Sequence, residues 1–174
     1  MFVEQLHTIV KDALYAIEWD TEGTDCLSLF IDKMTDAQYL HSYFDRNIQK
    51  LSYYKQVRSV EEAVIATIEQ IEDLAEELEA LAISGKQYKS SQHLSIMFEP
   101  LENNIGVIDF GPTKAKGHRY HSPWLRLYAI KLDQNEYVLT GGGIKLVARM
   151  EEDPDLKIEL DKLLFAEHYF SDDS

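Results

Sequence analysis

Two apolar runs separated by three polar residues constrain this chain more than anything else in it. Residues 124–147 read WLRLYAIKL-DQN-EYVLTGGGIKLV. Runs rich in Leu, Val, Ile, Tyr and Trp flanking Asp133-Gln134-Asn135 predict a β-hairpin. In the first run Trp124, Arg126, Tyr128, Ile130 and Leu132 alternate with Leu125, Leu127, Ala129 and Lys131, so the two sets face opposite sides of a sheet. The second run ends in Gly141-Gly142-Gly143, and glycines inside a strand pattern point to a bulge or to close approach by another backbone or a ligand. The formal net charge of the chain is −14, yet Thr113–Arg149 holds seven basic residues against two acidic ones. A basic stretch on an acidic body is the feature a functional reading has to explain.

Elsewhere the patterns are mostly helical. In residues 2–20 Phe2, Leu6, Ile9, Ala13 and Ile17 fit helical spacing, while Leu14–Trp19 reads as a strand and Lys11-Asp12 as a turn, and the balance leans to a two-stranded hairpin. From Cys26 to Leu51 apolar residues recur at three and four, with Asp25 and Asp36 as caps and a break at Thr35-Asp36. Ser59–Ile83 reads as one long helix. Ser59 and Glu62 form a capping box, and Val64, Ile68, Ile71, Leu74, Leu78 and Leu81 form its apolar stripe. That stripe is read as packing on the chain's own sheet; a coiled-coil seam, and with it a homodimer, is the alternative. Ile105–Phe110 predicts a short strand, Thr113–Pro123 a polar basic loop, and Asp153-Pro154 the start of a closing helix. Strands and helices are segregated along the chain, which predicts an α+β domain spanning 1–174, with an antiparallel sheet and long helices packed on one side.

Composition excludes several classes. No apolar run reaches the roughly 18–20 residues of a membrane span. The lone Cys26 permits no internal disulfide, and the N-terminus lacks a basic segment followed by an apolar one, so the expected compartment is the cytoplasm. His118 and His121 share a spacing compatible with a metal, but two His are too few and the distant extras Cys26 and His93 have no characteristic spacing, so no metal or other cofactor is expected. The Gly141–Lys145 segment is not a phosphate-binding loop, because no helix follows it directly.

The succession of a pair of long helices, basic connector, hairpin and short helix, with Leu125-Arg126-Leu127-Tyr128 on one strand and Gly143-Ile144-Lys145 ending the other, resembles the bacterial RelE/ParE/HigB toxin superfamily. The resemblance covers residues 59–164, with 1–51 as an N-terminal extension of hairpin and helices. It implies a RelE-like core, a toxin–antitoxin pair with a helix-turn-helix antitoxin, and metal-independent cleavage of mRNA, on the ribosome or directly. By position it makes Arg126 and Lys145 the cations that stabilise phosphate charge, and Tyr169 the acid/base. Lys114, Lys116, His118, Arg119, Tyr128 and Arg149 become RNA contacts. ParE-like members keep this fold without RNase chemistry, so the alternative is a non-catalytic interaction module.

Overall fold

A computed structural model describes residues 1–54, 57–102, 104–109 and 123–171. The chain forms an α+β domain around one six-stranded mixed sheet, in the order β1 (Val3–Val10), β2 (Leu14–Trp19), β6 (Glu136–Ile144), β5 (Leu125–Asp133), β4 (Ile105–Asp109), β3 (Glu99–Glu102). The expected hairpin is β5–β6, paired from Leu125–Ile144 to Asp133–Glu136. The N-terminal hairpin is β1–β2, and its turn uses Asp12 at φ 62°. The antiparallel expectation needs one correction: β2 runs parallel to β6, with Leu14, Tyr15 and Ala16 opposite Tyr137, Val138 and Leu139. Parallel neighbours need a long crossover, and here the whole helical region with three further strands supplies it.

Between β2 and β3 come α1 (Cys26–Met34), α2 (Ala37–Arg46), α3 (Ile48–Leu51), α4 (Val60–Glu72) and α5 (Leu74–Ser84), and the helices gather on one side of the sheet. The caps are those the sequence names. Asp25 accepts from Leu27 and Ser28 backbone N–H groups, Asp36 from Tyr39, and the Ser59 hydroxyl from Glu62. The 59–83 segment is two helices rather than one, meeting at Asp73. Its halves have different partners: α4 packs on α2, whereas α5 packs on β1 and the 3-10 turn at Leu94–Ile96. The apolar stripe is spent within the fold, with Val64, Ile71, Leu74 and Leu78 all buried.

Pro100 lies within β3. As β3 is an edge strand, the amide that proline lacks costs no ladder bond on its outer side. The closing helix α6 (Pro154–Ser171) is capped by Asp153, whose carboxylate accepts from Asp155 and Leu156. Among the described residues, no helix is long and apolar enough to cross a membrane.

The hairpin turn is anchored on both sides. The Asn135 side chain donates to the Ala82 carbonyl at 2.7 Å and accepts from the Leu94 amide at 2.9 Å. Gly85 lies so close to that side chain that a Cβ there would overlap it. At the opposite end the fully buried Trp124 packs edge-on against Phe44 (5.3 Å) and Tyr54 (5.5 Å), and its indole N–H donates to the Thr67 hydroxyl at 3.0 Å. The hairpin is thus clamped to α5 at its turn and to α2 and α4 at its open end.

Candidate functional site

Two of the cations named from sequence sit at the open end of the hairpin. Arg126 pairs across the ladder with Gly143. Lys145 follows β6, its amide donating to the Trp124 carbonyl at 2.7 Å and its carbonyl accepting from the Tyr54 hydroxyl at 3.4 Å. The Tyr43 hydroxyl reaches the Asp153 carboxylate at 3.3 Å, and burial pushes that phenol well above its ordinary range. Backbone and tyrosines therefore hold this end rigidly. The Arg126 guanidinium is half-buried and donates to the carbonyls of Pro123 (2.7 Å) and Leu125 (2.8 Å), so part of its donor set is spent on its own strand.

Among the described residues, Tyr128 and Tyr169 do not join them there. Tyr128 is 2% exposed and belongs to the core, so its ring offers no face for a base to stack on. Tyr169 is 45% exposed and stacks on Phe165 near the end of α6. Gly143 approaches Leu156 at the start of that helix. Thirteen residues separate Leu156 from Tyr169, which amounts to about 20 Å along the axis. Arg149 is exposed, just before the 3-10 turn at Met150–Glu152. Lys114, Lys116, His118, Arg119 and His121 lie outside the described residues. Among the described residues no three His, Cys, Asp or Glu side chains are grouped as a metal site would require.

A second locus emerges where β6 bulges. Tyr128 faces Gly141 while Ala129 faces Leu139, so Thr140 is the extra residue. Gly141 takes φ +148°, a backbone conformation that side chains rarely adopt. Its Cα lies against the Glu159 carboxylate of α6, and the neighbouring Gly142 lies against Phe30 of α1. The bulge, α1 and α6 enclose an open cavity of about 380 Å³. Trp19, Phe30 and Tyr39 supply aromatic wall, and the Trp19 indole is fixed by donating to the Thr140 carbonyl at 2.8 Å.

The charged group at the heart of this cavity is Glu159. Its Oε2 is buried with no hydrogen-bond partner, and Lys162 lies 3.6 Å from Oε1. Lys162 is itself only 13% exposed and also reaches Glu22 at 3.3 Å. Burial pushes the Glu159 carboxyl above its ordinary range, against the pull of Lys162 and Lys33. Cys26 also lines the cavity, but burial raises its thiol far beyond the reactive range, and its Sγ–H donates to the Leu139 carbonyl at 3.2 Å. That cysteine is structural rather than nucleophilic.

A pH dependence follows from Glu159. A carboxyl whose pKa is higher in the folded than in the unfolded chain favours folding while protonated. That contribution is fully present below about pH 4.3, the unfolded value, and is lost as pH rises through the folded one. Glu159→Gln, which keeps the shape and removes the ionisation, is therefore expected to gain stability relative to the parent as pH is raised from about 4 to 7. Urea midpoints of both proteins across that range check this, and a gap independent of pH would refute it.

Glycine spacing pointed to a close approach at 141–143, but nothing in the sequence identified Glu159 as the group approached. Compared with family models, with curated proteins and with solved structures, the chain matches none.

Proposed function

We propose that this chain is a RelE/HigB-like, toxin-related cytoplasmic protein of a toxin–antitoxin pair, in which the open end of the β5–β6 hairpin contacts RNA phosphate. The observation that carries the reading is the placement of Arg126 and Lys145. The Arg126–Gly143 pair and the Lys145 amide bond to Trp124 bring the two cations to one rigid end of the hairpin. In a RelE-like arrangement α4–α5 would be the helix pair and β5–β6 the hairpin, while β3 and β4 stand between them and α6, at 18 residues, is longer than the short helix the resemblance implies. Residues 1–51 supply β1, β2 and α1–α3 to the same core, so the extension is part of the domain. A helix-turn-helix antitoxin would be the cognate partner, and mRNA, free or on the ribosome, the target.

In this reading Arg126 and Lys145 stabilise charge developing on a phosphate, and the proton donor comes from a residue other than Tyr169. Inducible expression tests it: the parent chain arrests growth and fragments mRNA, and Arg126→Ala with Lys145→Ala reduces cleavage by about 100-fold or more. Harmless growth with both versions would sink the toxin reading. One set of observations favours the rival, a non-catalytic interaction module. Tyr128 is buried, Tyr169 is remote, and the Arg126 guanidinium is bonded to its own strand. Binding of an antitoxin without any cleavage of RNA is the outcome that would select it.

A further inference from the structure

We infer that the cavity between the β6 bulge, α1 and α6 is a binding site for a small organic cation, a free amine or guanidine on a short apolar stem. Neither Arg126 nor Lys145 is among its lining residues, and the inference does not depend on the toxin reading.

Three observations converge on that chemistry. The first is charge. Glu22, Asp32, Asp36 and Glu159 line the cavity against only Lys33 and Lys162. Both ammonium groups are already engaged, Lys162 with Glu22 and Glu159 and Lys33 over the Tyr39 ring at 5.2 Å. The charge left over is negative.

The second is an unmet demand for donors. An ionised carboxylate accepts several hydrogen bonds. Glu159 has Lys162 beyond hydrogen-bond length at one oxygen and no partner at the other. The absence of a side chain at Gly141 is what lets this carboxyl occupy its place beside the bulge. Oε2 is covered beside Gly141, so an N–H donor entering the cavity would reach Oε1, which Lys162 meets only at 3.6 Å.

The third is the wall. The Trp19 and Tyr39 rings each already carry a lysine ammonium near one face, at 5.9 and 5.2 Å from the centroids. Aromatic faces that attract internal cations attract a ligand cation by the same quadrupole. With Phe30 they also give an apolar stem something to pack on. A volume of about 380 Å³ suits a molecule of amino-acid or diamine size.

Isothermal titration of the full chain with agmatine, with inorganic phosphate as the anionic control, decides the matter. Agmatine should bind one to one and saturably, and phosphate should not bind at this site. Glu159→Gln should weaken agmatine about tenfold or more, because a charged acceptor becomes neutral. Asp32→Asn, an exposed change on the cavity rim that cannot disturb the core, should weaken it about threefold. Circular dichroism of both variants confirms folding, and if Glu159→Gln fails to fold, Asp32→Asn still tests the site. Absence of saturable agmatine binding up to about 10 mM, affinity unchanged in the folded variants, or phosphate binding in place of agmatine overturns the inference.

Discussion

Trp124→Ala is expected to lower stability by about 4 kcal/mol, the largest loss from any single truncation described here. Trp124 stands at the open end of the hairpin, fully buried. Removing it deletes two edge-on ring contacts, with Phe44 and Tyr54, each worth about 1 kcal/mol beyond the area buried. It also takes the indole donor from the buried Thr67 hydroxyl, although that hydroxyl keeps its own bond to the Ala63 carbonyl. A domain of this size commonly has only about 5–15 kcal/mol in hand. The loss should appear as a fall of about 8–16 °C in Tm and a lower urea midpoint at unchanged m-value. Trp124→Phe should recover roughly half of it, since it restores ring packing but not the donor. A Tm within about 2 °C of the parent for Trp124→Ala would show that α2 and α4 do not clamp the hairpin as the contacts imply.

Gly142→Ala is the second large effect, at about 2–4 kcal/mol from a single added methyl group. A Cβ at Gly142 would overlap the Arg126 carbonyl oxygen, which is backbone in the neighbouring strand, and would meet the Phe30 ring at 2.9 and 3.0 Å. The carbonyl cannot rotate away without breaking the ladder, and Phe30 is itself buried in the core. Gly143→Ala is the internal control. It adds the same methyl group one residue along, where the nearest neighbour, Leu156, stands at an ordinary 3.4 Å, and should cost less than about 1 kcal/mol. Equal losses for the two variants, measured by chemical unfolding, would refute the steric account.

The hairpins, the caps and the break at Thr35-Asp36 could be read from sequence because each is set by neighbours along the chain. A cap needs only an acceptor three residues before a free N–H, and a strand pair needs only alternation and a turn. The parallel β2–β6 pairing could not be read, because no local pattern distinguishes a strand with a parallel neighbour from one with an antiparallel neighbour. The division of residues 59–83 at Asp73 was hidden for a similar reason: both halves have good helical sequence, and only their different packing partners separate them.

The candidate sites divide in the same way. Arg126 and Lys145 come to the same end of the hairpin because its two strands are antiparallel and joined by a short turn. Tyr169 was assigned with them by chain order, but a straight helix carries it away from the hairpin end. Tyr128 shares the alternation of Arg126, and alternation alone does not say which face is covered. Glu159 and Gly141 meet across eighteen residues and two elements. The glycine announced a tight approach, and only the fold names what approaches.

The place of β2 beside β6 has a consequence in time. Three of its residues align with Tyr137–Leu139, so an inner seam of the sheet joins parts of the chain more than 120 residues apart. While the chain is being synthesised, β1 and β2 emerge early and their inner edge stays unpaired until β6 has been made. Closing such a long loop is entropically costly, and sheets dominated by distant pairings fold slowly. An exposed, apolar strand edge that waits is also where a nascent chain is most open to aggregation. Completion of the sheet beside β2 therefore has to wait for β6, and truncation before Glu136 leaves the N-terminal hairpin without its partner.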